Sequence, residues 1–470
     1  MTTERRFFDS SLAAYSSQLG RLAIALASRM LLVRLIAPDG HGLYELALRV
    51  VTVAAAVRDL GLPYHLMRDP RRPYGTVLVF VLASGAVVTL LVMLGAPLLA
   101  GLDPSLPPIL RAYAVWILLD GLVIVPKTFF ERELRIGRLV APEILRAAAT
   151  AVVAVGLAAN GWGVWSLIWA DLAATGAFAV MVWWRAAGRM SVRAELRLVP
   201  ELLSSSRYLF LVWLLFQLVT YVDVFIVGAY RDATAVGQYS RAYWIAFLTA
   251  QIMAPRALLP ALVEYLPDPR RFAAAFRVGT VFLMSFQVVA GYFLFFNAHR
   301  VVRIVLGPSP DWLPAVDLLR ILCFVPFLDA FTDLGGEVLK VRGDDRVWLA
   351  TVVLNLASLA GFGILFTSWW GPSGMAVANF VLVGHLVMVW RVSRIFAAEW
   401  GTLLRDLALV YVVPLVPFLA VAAAFPADGW GRFGWSLLAA SAAMATLGWR
   451  FRAPFRAFLS ERNLPRAGGS

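Results

Sequence analysis

Long apolar stretches, separated by short polar segments, dominate this sequence. Each stretch provides about 20 apolar residues, which is enough for an α-helix to cross a hydrocarbon core of roughly 30 Å. The pattern predicts fourteen membrane-spanning helices, approximately at 11–37, 43–62, 74–100, 109–127, 139–159, 163–184, 206–230, 236–262, 273–297, 313–338, 347–369, 373–392, 404–425 and 431–449. We therefore expect an all-α polytopic membrane protein.

One pattern occurs in both halves of the chain. A helical hairpin is predicted between Gln217 and Tyr243, and its second segment matches the start of span two. Three residues recur 195 positions apart: Gly42, Tyr44 and Ala47 match Gly237, Tyr239 and Ala242. Two further glycine pairs recur at offsets of 206 and 211: Gly137 with Gly343, and Gly163 with Gly374. This duplication predicts two pseudo-symmetric six-helix lobes, as in many alternating-access transporters.

The repeat and the spans together predict the domain organisation. We expect an N-terminal six-helix lobe at 1–190, an amphipathic interfacial linker at 191–205, a C-terminal six-helix lobe at 206–400, two additional transmembrane helices at 401–450, and a cytoplasmic basic tail at 451–470. The linker is predicted as a helix lying in the membrane interface, because Val192, Leu196, Val199 and Leu203 share one helical face. An ordinary polar linker is the alternative.

Composition and charge support this class and set the orientation. The chain is 61% hydrophobic and only 15% charged, which is too apolar for a soluble protein of 470 residues. Its net charge of +13 would suggest nucleic acid as a partner in a soluble chain, but here most of the basic residues lie between spans. If the N-terminus is cytoplasmic, the inner segments carry 28 of these residues and the outer segments 5. Both termini are therefore expected in the cytoplasm, and no nucleic-acid partner is expected.

Other residue types exclude some classes of function. A single cysteine, Cys323, excludes an internal disulfide and a cysteine-based metal cluster. The two lysines, Lys127 and Lys340, do not follow a glycine, so the chain has no Walker A phosphate loop. No loop is long enough for a catalytic domain. The sequence therefore predicts a transporter driven by ion or potential gradients, without a bound cofactor or metal, rather than an enzyme.

Ionisable residues within the first-half spans define a candidate substrate site, since such residues are costly in a membrane. The proposed anion-binding residues are Gln18, Arg21 and Arg29 of span one, Arg49 of span two and Arg146 of span five. Asp120 and Asp171 complete the set. Arginines around a shared cavity suit phosphate groups, because the guanidinium stays charged and donates bidentate hydrogen bonds. The alternatives are that Arg49 pairs with Glu45, and that the side chain of Arg146 extends to the membrane surface.

The second-half spans contain candidates for ion coupling: Asp223, Asn355, Asp329, Asp333, Glu337 and His385. Three of them are four residues apart on span ten and share one helical face, so each must be protonated, cation-bound or solvated. Two alternatives remain: His385 packs as a hydrogen-bonded side chain, and Asp223 pairs with Arg241 to fix the hairpin.

Six short motifs in this sequence resemble those of a known family. The motifs, in order, are Leu35-x-x-Pro38-Asp39-x-x-Gly42-x-Tyr44-x-x-Ala47, Asp59-x-Gly61-Leu62, Arg132-x-Leu134, Gly161-x-Gly163-Val164-Trp165-Ser166-Leu167, Asp223-x-x-x-Val227-Gly228 and Gly237-x-Tyr239-x-x-Ala242-Tyr243. Over roughly residues 10–400 they resemble the Wzx-type polysaccharide flippases of the multidrug/oligosaccharidyl-lipid/polysaccharide (MOP) exporter superfamily.

The resemblance implies export of an undecaprenyl-pyrophosphate-linked saccharide from the inner to the outer leaflet of a bacterial cytoplasmic membrane. Polysaccharide polymerase or assembly proteins are further expected partners. A cation site in the branch that handles lipid-linked peptidoglycan precursors corresponds to Asp223 and Asn355 here, but Leu359 replaces its second acid. The resemblance therefore leaves proton and sodium coupling both open.

Three other functions stay open at this stage. A multidrug/cation antiporter of the same superfamily would favour acids and aromatic residues in its cavity, which Arg21, Arg29 and Arg49 oppose. A membrane glycosyltransferase or polymerase would need a catalytic acid or base near a sizeable loop. A structural partner in a polysaccharide-assembly complex would not require a charged interior.

Overall fold

A computed structural model describes residues 3–133, 135–190, 192–252, 265–426 and 429–453, and these ranges contain no β-strand. The helices are α1 (Thr3–Leu35), α2 (Pro38–Asp59), α3 (Leu62–Arg68), α4 (Tyr74–Gly95), α5 (Leu106–Tyr113), α6 (Val115–Arg132), α7 (Gly137–Ala159), α8 (Val164–Ala186), α9 (Val199–Tyr230), α10 (Ala233–Ile252), α11 (Pro269–Val305), α12 (Pro314–Leu322), α13 (Val325–Arg342), α14 (Asp345–Trp370), α15 (Pro372–Ala378), α16 (Val383–Ile395), α17 (Ala397–Ala424) and α18 (Trp430–Arg450). The predicted all-α class is confirmed.

Nine helical segments of the described chain are long and apolar enough to cross a membrane. They coincide with nine of the fourteen predicted spans, at 74–101, 106–132, 137–159, 164–186, 210–230, 269–305, 345–370, 372–395 and 397–424. The other five predicted spans are largely helical where they are described but fall short of that criterion. The end of span eight and the basic tail from residue 454 onward lie outside the described residues. A polytopic membrane protein is therefore confirmed, whereas the total of fourteen spans stays a prediction.

The chain forms two compact units, residues 1–240 (unit 1) and 241–470 (unit 2), and the boundary falls inside α10. The core of unit 1 lies among α3, α4, α6 and α8, where Tyr74, Phe129, Phe130 and Phe178 are buried. The core of unit 2 lies among α11, α13, α16, α17 and α18. The lobe boundaries at residues 190 and 206 stay predictions.

Within unit 1, the repeated glycines form a close helix crossing. A Cβ added to Gly42 would lie 1.7 Å from the carbonyl oxygen of Ala233, and one added to Gly237 would lie 1.9 Å from that of Pro38. Pro38 and Ala233 are themselves 195 positions apart. The contact is therefore reciprocal, as a local two-fold axis requires, and only glycine permits it because no side chain fits between the backbones.

Spans four and ten are each divided after their first third. α5 and α6 meet at Ala114, and α12 and α13 meet at Cys323 and Phe324. Pro326 at the start of α13 explains the second division, because proline cannot donate the hydrogen bond that a continuous helix needs. The helices after the division have the same length, 18 residues each. The two copies of the repeat thus share this local architecture.

The segment at 191–205 differs from the predicted interfacial helix. Residues 192–195 are not helical, and Val199 already begins α9, which continues to Tyr230. The backbone N–H of Glu195 donates to Thr76 Oγ1 at 2.9 Å, which holds the non-helical residues against the start of α4. Arg71 Nη1 donates to Glu201 Oε2 at 3.0 Å and so holds the start of α9. The side-chain hydrogen bonds of Arg71 to Asp69 and, less strongly, to Glu201 raise its pKa above the ordinary value.

Candidate functional site

A cavity of about 340 Å³ lies within unit 1, among α1, α6, α7 and α8. Three cations and three acids line it: Arg21, Lys127, Arg146, Asp120, Glu143 and Asp171. Two of the predicted anion-binding residues, Arg21 and Arg146, therefore share one cavity, although they are 125 positions apart in the sequence. The two predicted accessory acids, Asp120 and Asp171, face the same space.

The three cations of the cavity have different partners. Arg21 Nη1 lies 3.3 Å from Glu143 Oε2, and Lys127 Nζ lies 3.7 Å from Glu131 Oε1. The guanidinium of Arg146 stacks 5.4 Å from the ring centroid of Phe178 and pairs with no carboxylate in the part of the chain that the structure describes. A cation over an aromatic ring keeps its hydrogen-bond donors available. Arg146 is therefore the cavity cation best placed to accept an anionic ligand.

Asp120 is held by a buried arginine. Arg58 Nη2 donates to Asp120 Oδ2 at 2.9 Å and its Nε donates to Asp59 Oδ1 at 2.7 Å, while the Arg58 side chain is fully buried. Added Cβ atoms at Gly85 and Gly121 would lie 3.3 and 3.4 Å from this side chain, so both glycines make room for it. Arg58 thus pairs with two acids, Asp59 at the end of its own helix and Asp120 on α6.

Asp171 is held by two tyrosines. The hydroxyls of Tyr44 and Tyr113 donate to the same oxygen, Oδ2, at 2.6 and 2.7 Å. Tyr44 comes from the start of α2 and Tyr113 from the last residue of α5, so Asp171 links three helices. Sequence reasoning identified Tyr44 as a repeat residue but not as a partner of this acid, because the contact spans 127 positions.

The remaining predicted anion-binding residues lie elsewhere in unit 1. Arg49 Nη2 pairs with Glu45 Oε2 at 3.0 Å, as the alternative interpretation expected, and its guanidinium lies 4.4 Å from the ring centroid of Tyr221. Gln18 and Arg29 are half-buried on α1 but do not line the cavity. Glu143 was missed, although its position three residues before Arg146 places both on one face of α7.

Asp223 is buried and accepts a hydrogen bond from Tyr239 at 2.9 Å. Its second oxygen accepts from the backbone N–H of Val224 at 2.8 Å. The alternative pairing with Arg241, the first residue of unit 2, stays a prediction. The repeated tyrosines Tyr44 and Tyr239 therefore both bind an acid, but the acids lie on different helices.

The ion-coupling candidates of unit 2 do not converge. Asp329 and Asp333 line a cavity of about 90 Å³ together with Gln287, whose Oε1 accepts from Thr249 at 2.8 Å. Glu337 instead pairs with Lys340 at 3.0 Å. Asn355 packs against Gly384 on α16, and the half-buried His385 follows that glycine. Among the described residues, no three His, Cys, Asp or Glu side chains are grouped as metal ligands.

The fold is that of the transporters of the MOP superfamily. The chain is similar to the lipid II flippase MurJ in an inward closed conformation, with a TM-score of 0.77 over 95% of this chain and 99% of that one at 12% identity. It is also similar to an inward-facing multidrug resistance MATE transporter, with a TM-score of 0.67 over 81% and 95% of the chains at 15% identity. At these identities the likeness shows the fold alone.

The chain belongs to the polysaccharide biosynthesis protein family, whose model matches residues 31–317. One relative is the teichuronic acid biosynthesis protein TuaB of Bacillus subtilis (strain 168), which is 24% identical over 209 residues. This alignment covers 42% of each chain, so the match spans less than half of that relative's length. The predicted resemblance is thus confirmed at the level of the polysaccharide biosynthesis family, and the fold agrees with it.

Proposed function

We propose that this protein is a flippase for an undecaprenyl-pyrophosphate-linked oligosaccharide, the repeat unit of a polysaccharide. It moves this lipid from the inner to the outer leaflet of the bacterial cytoplasmic membrane by alternating access, and it performs no covalent chemistry. Family membership and fold support a transporter of lipid-linked saccharides. The observation that carries the choice of an anionic substrate is Arg146, which lines a cavity without a carboxylate partner among the described residues.

The chemistry of the cavity suits the head of such a lipid. Arg146 and Arg21 bind phosphate oxygens bidentately, and Lys127 adds a third positive charge. The polyprenyl tail stays in the apolar bilayer throughout, so only the polar head has to be enclosed by the protein. With both termini cytoplasmic, as the basic residues predict, outward movement follows the inside-negative potential and gains about 2.3 kcal/mol per charge and 100 mV.

The roles of the other predicted site residues remain part of the proposal. Gln18, Arg29 and Arg49 would contact the substrate in a different conformation of the cycle. Proton or sodium coupling would involve Asp329 and Asp333, which line a cavity together, and separately Asp223, Asn355, Glu337 and His385. Polysaccharide polymerase or assembly proteins would act on the exported product.

A multidrug/cation antiporter is the second candidate. The observation that favours it is the presence of Asp120, Glu143 and Asp171 in the same cavity. Two of these acids, however, are bound to Arg58 and to a pair of tyrosines, so they are poor ligands for a cationic drug. The flippase therefore accounts for more of the cavity.

The test is export of surface polysaccharide in a bacterium that lacks its own flippase. The native chain restores export, and Arg146→Ala lowers it by about tenfold or more, because a hydrogen-bonded charge contact is lost. Arg146→Lys keeps part of the activity. Arg231→Ala is the matched control, since Arg231 is exposed and its side chain donates to the carbonyl of its neighbour Tyr230, away from the cavity.

Protein levels are measured for every variant. Undiminished export by a well-expressed Arg146→Ala variant would contradict the anion site. Absence of export by the native chain, combined with efflux of a cationic dye that Asp171→Asn abolishes, would establish the antiporter instead.

A further inference from the structure

Four arginines lie together at one end of α7 and α8, outside the cavity of unit 1. They are Arg135 in the turn before α7, Arg138 in the first turn of α7, Arg185 in the last turn of α8 and Arg189 in the turn after it. We call these residues the arginine cluster. Arg138 interacts electrostatically with each of the other three, so like charges repel one another here. The distribution of basic residues predicts that this end of unit 1 faces the cytoplasm.

The contacts of the arginine cluster do not neutralise it. Arg185 Nη1 donates to the backbone carbonyl oxygen of Arg138, and Arg189 Nη1 donates to that of Arg185. These acceptors position the side chains but carry no charge. Within the part of the chain that the structure describes, no carboxylate pairs with any member of the cluster. The cluster therefore has four positive charges whose counter-ion must come from outside the described chain.

The acids nearest in sequence already have other partners. In the turn between α6 and α7, Glu131 Oε1 lies 3.7 Å from Lys127 Nζ, and Glu133 Oε1 accepts from Arg72 at 2.6 Å. Both carboxylates thus pair with cations that do not belong to the arginine cluster. The repulsion within the cluster is left to an external anion.

Membrane orientation alone does not explain an arginine cluster without acids. Arginines in other segments predicted to be cytoplasmic pair with carboxylates: Arg71 with Asp69 at 2.8 Å, Arg277 with Asp406 at 2.6 Å and Arg391 with Asp344 at 2.9 Å. Acidic residues contribute little to orientation, so the rule that places arginines inside does not remove the acids beside them. The absence of acids around this cluster points to a ligand that supplies the negative charge.

An exposed apolar surface continues from the arginine cluster along both helices. Trp184, which precedes Arg185, is 78% exposed, and Val180, one turn earlier on α8, is 70% exposed. Leu145 is exposed on α7, two turns after Arg138. Such side chains on spanning helices face lipid chains, and tryptophan is typical of the level of the headgroups. A molecule with an anionic head and hydrocarbon tails complements the whole surface, whereas a soluble anion complements only the arginines.

We propose that the arginine cluster and the apolar surface beside it bind an anionic phospholipid of the inner leaflet. The exposed Arg135 and Arg189 donate bidentate hydrogen bonds to its phosphate oxygens, and its acyl chains lie along α7 and α8. The bound lipid neutralises the cluster and stabilises this end of unit 1, as any ligand of the folded state does. This inference is independent of the proposed function, because it uses no residue of the cavity.

The test is lipid binding to the purified full-length protein in a neutral detergent, with the bound lipid counted by native mass spectrometry. The native chain binds phosphatidylglycerol about tenfold more tightly than phosphatidylcholine, and high ionic strength reduces this preference. The double variant Arg135→Gln/Arg189→Gln lowers the affinity for phosphatidylglycerol about fivefold or more, because each arginine near an anionic lipid contributes on the order of fivefold. Arg135→Lys/Arg189→Lys keeps both charges and most of the preference.

The double variant Arg71→Gln/Arg72→Gln is the matched control. It removes the same two charges from the side of the membrane predicted to be cytoplasmic, but these arginines already pair with acids, among them Asp69 and Glu133. Its affinity for phosphatidylglycerol should change by less than about twofold, because exposed paired charges contribute little.

Thermal unfolding separates lipid binding from a purely structural role. In phosphatidylcholine and detergent, Arg135→Gln/Arg189→Gln should unfold at the same temperature as the native chain or a higher one, because repulsion within the arginine cluster is reduced. Addition of phosphatidylglycerol should raise the midpoint of the native chain more than that of the variant. A variant that is merely misfolded would already unfold at a lower temperature without the lipid.

Three results would overturn the proposal. The first is equal binding of phosphatidylglycerol by the native chain and Arg135→Gln/Arg189→Gln, and the second is an equal loss in the Arg71→Gln/Arg72→Gln control. The third is displacement of phosphatidylglycerol by inorganic phosphate or pyrophosphate at the same concentration, since the arginine cluster would then bind a soluble anion or the head of the substrate. None of these results affects the flippase proposal, which depends on Arg146.

Discussion

Asp120 in unit 1 and Asp329 in unit 2 occupy matching positions of the repeat, and their surroundings differ. They are 209 positions apart, within the range of offsets set by the glycine pairs. Each lies six residues after the division of its span, at Ala114 or Cys323, in a helix of 18 residues. Asp120 receives a hydrogen bond from the buried Arg58. Asp329 faces a small cavity with Asp333 and Gln287.

The difference shows which features the two copies share and which they do not. Backbone features recur: the divided spans in both units, and the glycine crossing between Gly42 and Gly237 within unit 1. Charge environments do not recur. In unit 1 the acid is neutralised, and Arg146 lines a cavity without a carboxylate partner among the described residues, whereas in unit 2 Asp329 and Asp333 line a cavity together. A duplicated scaffold can thus hold two different charge environments.

The largest expected effect concerns the arginine that neutralises Asp120. Arg58→Met leaves Asp59 and Asp120 without their shared cation in a buried position, and we expect the free energy of unfolding to fall by about 3–5 kcal/mol. The measurement is reversible unfolding of the purified protein in mixed micelles. Arg72→Met is the matched control, because its pair with Glu133 is half exposed and contributes at most about 1 kcal/mol.

A double variant sharpens this result. Adding Asp120→Asn to Arg58→Met removes one of the uncompensated charges and recovers part of the lost stability. If Arg58→Met and Arg72→Met destabilise the protein equally, the buried Arg58 pairs contribute no more than an exposed pair, and the neutralisation of Asp120 has no special weight in unit 1.

A smaller loss of stability is expected from substitutions at the glycine crossing, which both copies of the repeat form. Gly42→Ala and Gly237→Ala each force apart backbones that meet within 2 Å of the added Cβ, so each should lower the free energy of unfolding by about 1–3 kcal/mol. Gly156→Ala is the control, because no atom lies within 4 Å of its added Cβ and alanine favours a helix. The thermal midpoint of each variant, followed by tryptophan fluorescence, gives the comparison. Unequal losses of stability for the two variants would contradict a symmetric crossing.

The sequence predicted the features that depend on local patterns. Apolar length predicted the helical membrane class, and the spacing of Gly42 and Tyr44 predicted the repeat, whose glycines meet in the structure. It also indicated which arginines are costly, and two of them, Arg21 and Arg146, line one cavity. Apolar length and the cost of a buried arginine are properties of single helices, and the repeat needs only one short motif that occurs twice.

What the sequence did not reveal depends on pairings across helices. No local pattern shows that Tyr44 and Tyr113 meet at Asp171, because the partners are 127 and 58 positions away. The same is true of Arg58 and Asp120, which are 62 positions apart. The predicted helix is absent at residues 192–195, where Glu195 forms hydrogen bonds with Thr76, 119 positions away on another helix.

The smallest expected effect on stability comes from the acid of unit 2. Asp329 has no arginine or lysine partner in the described part of the chain and faces Asp333, so its neutral, protonated form is favoured. Asp329→Asn exchanges this neutral group for another of similar size and should change the free energy of unfolding by less than about 1 kcal/mol, in either direction. Asp120→Asn at the matching position should destabilise the protein more, because Arg58 loses a partner. The same unfolding measurement compares the two variants directly.

A transport assay tests whether Asp329 also has a role in ion coupling. If Asp329 binds the coupling ion, export by Asp329→Asn should no longer respond to collapse of the proton or sodium gradient, while the well-folded variant still binds pyrophosphate through unit 1. Thr332→Val, one turn from Asp329 and bonded only to backbone carbonyls of its own helix, is the control. If export by Asp329→Asn still depends on the gradient, the coupling ion does not bind at Asp329. The acids of unit 2 would then not differ from Asp120 by a role in coupling.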